Sequence, residues 1–74
     1  MKKEMAKVMA KVFEHIEALG NASYIYGWGG CIFAIFEEDE TSYCFRIDGN
    51  KYYVSHCGFG KGCIFTEEEE FEIK

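Results

Sequence analysis

Seventy-four residues, 49% hydrophobic and 18% aromatic, make a single domain, 1–74, and that aromatic load excludes a disordered chain. A net charge of −5 and a pI near 4.9 exclude salt-driven binding to a nucleic-acid backbone, which needs clustered Lys and Arg, and favour a partner with a basic surface. No apolar run approaches the roughly 20 residues of a bilayer span, so no membrane is expected. The N-terminus reads as an amphipathic segment and not as a secretory leader, which makes a cytoplasmic location the expectation.

Met5, Val8, Met9, Val12, Phe13, Ile16 and Leu19 recur at the spacing of one helix face, which predicts an amphipathic helix over residues 1–20. Gly20 follows at once, and glycine is the residue best able to close a helix. From Ala22 onward the period changes to two and the residues to β-formers, predicting a sheet over 22–73. Five strands are expected, near Ala22–Tyr26, Cys31–Glu38, Ser42–Asp48, Lys51–Cys57 and Gly62–Ile73, the last open to a break in its acidic middle. Asp48-Gly49-Asn50 is a tight hairpin signal that makes strands three and four antiparallel neighbours. The fold class is therefore α+β, an N-terminal helix on an antiparallel meander of four or five strands.

Strand two reads Cys31-Ile32-Phe33-Ala34-Ile35-Phe36, apolar on both faces, whereas strand three alternates Tyr43, Phe45 and Ile47 with Cys44, Arg46 and Asp48. One helix covers one side of a sheet. The second apolar side predicts a homodimer whose interface carries Ile32, Ala34 and Phe36; the alternative is that these tuck under the chain's own loops.

Gly27-Trp28-Gly29-Gly30-Cys31-Ile32-Phe33 is echoed by Gly58-Phe59-Gly60-Lys61-Gly62-Cys63-Ile64-Phe65, and each Cys-Ile-Phe runs into acids. The echo reads either as an internal duplication into two similar hairpins or as convergence on common turn chemistry. Trp28 and Phe59, each set between glycines, are candidate exposed anchors for a protein partner, or else caps folded over the core ends. Glu37, Glu38, Asp39 and Glu40 form one acidic block, and Glu67, Glu68, Glu69 and Glu70 another. If the hairpins are alike, both blocks lie at one end of the sheet. They steer a basic partner, imitate a nucleic-acid backbone, or simply solubilise the fold. Residues 1–20 carry +1 and residues 21–74 carry −6, from four bases against ten acids, so the sheet holds the negative field.

The four cysteines, with His15 and His56, lack the Cys-x-x-Cys knuckle of a structural zinc site, and core thiols are expected in place of a metal centre. Cys57 and Cys63, flanking the Gly58–Gly62 loop, remain a possible cross-strand pair. That loop has glycines and a lysine like a phosphate cradle, but it feeds a strand-like segment and lacks the following Ser or Thr. No nucleophile and base are spaced for catalysis, so no enzyme and no cofactor are expected.

A very short, acidic, aromatic-rich chain with no catalytic signature is similar in general character to small phage-encoded anti-defence proteins such as anti-CRISPRs. The resemblance implies a non-enzymatic protein that inhibits or sequesters a partner protein, acting in the host cytoplasm. The alternative is a homodimeric small-molecule or nucleotide-signal binder, a sponge lined by Tyr24, Tyr26, Arg46 and Lys61 beside Trp28 and Phe59.

Overall fold

The structure, a computed structural model, describes residues 2–62 and 64–73, with side chains described from Ala6 onward except at Lys61. Helix α1 runs Lys2–Leu19 and is followed by strands β1 (Tyr24–Trp28), β2 (Cys31–Phe36), β3 (Thr41–Asp48) and β4 (Lys51–Gly58), a 3-10 turn (Phe59–Lys61) and β5 (Glu69–Glu72). The strands pair in sequence order, each antiparallel to the next, so the expected helix on a five-stranded antiparallel meander is what the chain forms. No helix among the described residues is long and apolar enough to cross a membrane.

The helix ends where Gly20, at φ 140°, takes a backbone angle that side chains oppose and donates its N–H to Ile16 O at 3.2 Å. Val8, Val12 and Ile16, one turn apart, are fully enclosed and lie on Ile32, Ala34, Phe36, Phe45, Tyr52 and Val54 of the sheet. Phe13, predicted for the same stripe, is 42% exposed at its margin.

The assignment of Ile32, Ala34 and Phe36 to a dimer interface is corrected. They are 8%, 0% and 4% exposed beneath the chain's own helix. Register is the reason: Ile32 pairs with Phe45 and Ala34 with Tyr43, cross-strand partners share a face, and strand three has its apolar set on that face. The second apolar side of β2 is the alternate set, Cys31, Phe33 and Ile35.

One further expectation changes, and one of two open readings closes. The last strand is Glu69–Glu72 and not Gly62–Ile73, because residues 64–68 join β4 irregularly. Thr66 N–H donates to His56 O at 2.9 Å, while the Thr66 hydroxyl takes the His56 N–H that a ladder carbonyl would accept. The two glycine-aromatic segments are also not alike. Gly29 and Gly30, at φ 59° and 78°, make a two-residue hairpin turn between paired Trp28 and Cys31, whereas Phe59–Lys61 is a 3-10 turn. The acidic blocks consequently separate. Glu37–Glu40 turn between β2 and β3 beside Gly58, and β5 runs from Val54 toward Lys51 at the other end of β4.

Candidate binding surface

The face of the sheet away from the helix has two chemistries. On β1 and β2 it is aromatic. Alternation places Tyr24, Tyr26 and Trp28 on it, paired with Ile35, Phe33 and Cys31. Tyr24 and Tyr26 stack with ring centroids 6.2 Å apart, and Tyr26 stacks on Phe33 at 5.1 Å with the planes 15° apart. Trp28 closes the hairpin and is 75% exposed. The helix leaves β1 uncovered on the other side too, where Ile25 is 41% exposed, so every residue of β1 meets solvent.

On β3, β4 and β5 the same face is ionic. Arg46 donates from Nε and Nη2 to the two carboxylate oxygens of Glu68 at 2.8 and 2.9 Å, and its guanidinium carbon sits 4.1 Å from the centroid of Tyr53. The hydrogen bonds from Arg46 hold the Glu68 carboxyl below its usual range and raise the guanidinium. Lys51 approaches Glu70 at 3.8 Å, and its ammonium is raised by the Tyr53 hydroxyl first and Glu70 second. Further along β3 and β4, toward the Thr41–Gly58 end, the same face carries small residues, Ser42, Ser55 and Cys57, all buried. Cys44, beside Cys31, has its thiol pushed up to about 11, by burial first and by Cys31 second.

The expected partner-binding residues fall into two groups. Trp28 stands with Tyr24 and Tyr26. Phe59, 38% exposed, lies at the far end of the sheet with the acidic turn, its N–H donating to Glu40 O at 2.9 Å. From the row of Trp28, Cys31, Arg46 and Tyr53 to that of Phe36, Thr41 and Gly58 is five residues of strand, roughly 17 Å. Of the second acidic block, Glu68 and Glu70 are engaged by Arg46 and Lys51, and Glu67 and Glu69 are exposed. Arg46 therefore reaches the ligand-binding group of Tyr24 and Tyr26 only by face, with its Nε and one Nη2 donor bonded to Glu68. The Lys61 side chain and Cys63, and with Cys63 the possible pairing to Cys57, lie outside the described residues. Among the described residues no group of three or more His, Cys, Asp or Glu could hold a metal ion.

Sequence reasoning missed one cluster. On the helix side, Lys11, Glu14, His15, Ala18 and Tyr52 line a shallow cleft of about 340 Å³. His15 Nδ1 and the Tyr52 hydroxyl are hydrogen-bonded at 3.0 Å, and the imidazole meets Phe45 and Phe71 edge-on at 5.4 and 4.9 Å. Burial lowers the His15 pKa against a raising influence of Glu69, and burial raises that of Tyr52. The available signal was the i, i+4 spacing of Lys11 and His15 beside the apolar stripe, which does not reveal a partner on β4.

Compared with protein-family models, with curated proteins and with solved structures, the chain finds no match.

Proposed function

We propose that this chain is a non-enzymatic binding protein that captures and inhibits a protein partner bearing a basic surface, in the manner of small phage anti-defence proteins. Tyr24, Tyr26 and Trp28 make the contact, and the acidic turn Glu37–Glu40 with Glu67 and Glu69 steers the approach. The observation that supports this most is Trp28, 75% exposed on a hairpin end beside two further aromatics on the same face. A tryptophan side chain buries on the order of 200 Å². Covering the three-quarters left open here is worth roughly 4 kcal/mol at about 25 cal/mol per Å² before ordering costs, the scale of an interface hot spot. The acids act at longer range, so they set the association rate and its salt dependence more than the affinity. The sponge reading is the weaker one, because the guanidinium it needs is already held by Glu68 and Tyr53.

A photo-crosslinking amino acid placed at position 28 and, as control, at exposed Glu17 on the helix tests this in cells expressing the chain. One defined protein adduct from position 28 and none from 17, weakened by salt during binding, is the expected result. Equal labelling from both positions, or no protein adduct at all, refutes it.

A further inference from the structure

Every open sheet has two edges, and the two edges of this one differ in kind. Three of the four residues of β5 are glutamates, so a second copy approaching there meets like charge. Strand β1 carries no charge and no proline, and no segment among the described residues covers Tyr24-Ile25-Tyr26-Gly27-Trp28. Those are the devices by which folded proteins keep edges from pairing, and β1 has none of them.

The backbone of β1 is also self-complementary. A two-residue turn makes Trp28 and Cys31 a hydrogen-bonded pair, and antiparallel alternation then points the peptide groups of Tyr24 and Tyr26 toward β2 as well. Ile25 and Gly27 are left with their N–H and C=O groups directed outward. Two such residues, two positions apart, match a copy of themselves across a two-fold axis: Ile25 faces Gly27 of the second copy, Gly27 faces Ile25, and four hydrogen bonds close.

Gly27 supplies a second and independent argument. Glycine weakens a strand, yet here its φ is not positive, and an added Cβ would meet only Cys31 O at an ordinary 3.7 Å. Nothing among the described residues calls for glycine there. Opposite Ile25 of a second copy, the missing side chain leaves room for the isoleucine that the helix does not cover.

We infer that two copies of this chain pair antiparallel through β1, with Tyr26 opposite Tyr26, to form one continuous ten-stranded sheet. The pairing stands independently of the proposed function. The acidic β5 of each copy lies four strand spacings, roughly 19 Å, from its own β1 and so further still from the seam, beyond the screening length of about 8 Å in physiological salt. An edge of five residues buries less than a standard interface of about 1,600 Å², so the dimer is concentration-dependent in the micromolar range. Added salt, by screening −5 against −5, tightens it or leaves it unchanged, opposite to the salt response of a basic partner.

Sedimentation equilibrium of the full chain from about 10 to about 500 µM, with amide hydrogen exchange at both limits, tests the inference. The expected result is a reversible dimer in which the Ile25 and Gly27 amides become protected as concentration rises. Ile25→Lys, with fold retention checked by circular dichroism, weakens it at least about tenfold, and Gly27→Val does the same by filling the space opposite Ile25. A monomer throughout the range overturns the inference. So does a dimer that ignores both substitutions, or one whose amide protection falls on the β2–β3 face and not on β1.

Discussion

Glu40 is the one described residue other than glycine with a positive φ, at 52°, and it sits at the end of the acidic turn with its N–H on Glu37 O at 3.1 Å and its carbonyl accepting from Phe59 N–H. The left-handed region costs an L residue about 1 to 2 kcal/mol, and glycine escapes that cost. Against this, glycine adds about 0.4 to 1 kcal/mol of chain freedom to the unfolded state. Glu40→Gly should therefore stabilise the fold by about 0.5 to 1 kcal/mol, a rise of roughly 2 to 8 °C in Tm for a domain of this size. Removing a carboxylate from a block of four has its own effect. Glu38→Gly removes the same charge where φ is not positive, so it serves as the reference and is expected to lower Tm. Thermal melts by circular dichroism at neutral pH measure both. The reasoning fails if Glu40→Gly melts at or below the temperature of Glu38→Gly.

Phe45, fully enclosed at the centre of the sheet, should cost about 3 to 5 kcal/mol on truncation to alanine, comparable with the whole net stability of a domain this small; circular dichroism at 25 °C should find that variant largely unfolded. His15 has a lowered pKa in the folded state, so the unfolded chain binds a proton first as pH falls. Its contribution is complete above about pH 6.5 and is lost as pH drops from there toward the folded pKa, and urea titrations should lose that slope in His15→Asn. With its thiol pushed up to about 11, Cys44 is thiolate in only about one part in a thousand at pH 8, so iodoacetamide should modify it slowly until the protein is unfolded; complete alkylation within minutes in peptide mass mapping contradicts its placement.

Much of the fold was legible. The helix stripe at Val8, Val12 and Ile16, the glycine stop, and the strands ending at Asp48 and beginning at Lys51 each rest on local periodicity and turn chemistry, and those survive into the structure. What was not legible is pairing. Six successive apolar residues in β2 state that both faces are apolar without stating which one meets the helix, and the answer lies in the match of Ile32 to Phe45 across the ladder. The same limit explains the acidic blocks: their sequence context is alike, but the register of Glu69 on Val54 sends β5 away from the Glu37–Glu40 turn. Cys63-Ile64-Phe65 has the composition of a strand, yet Ile64 is 79% exposed because Thr66 spends its hydroxyl on His56 and breaks the ladder before it regularises at Glu69. Flanking glycines left Trp28 open to exposure or to folding over the core end, and its place on the face of Tyr24 and Tyr26 required the strand to run on to Trp28, two residues past the end its composition implied.

Because the chain has one tryptophan, replacing it with fluorotryptophan gives a single fluorine NMR resonance that reports on position 28 alone. Titration of the protein partner captured at that position should shift or broaden the resonance to a stoichiometric end point, and less so at high salt. A complex that forms by sedimentation while the resonance stays where it is in the isolated chain contradicts the account.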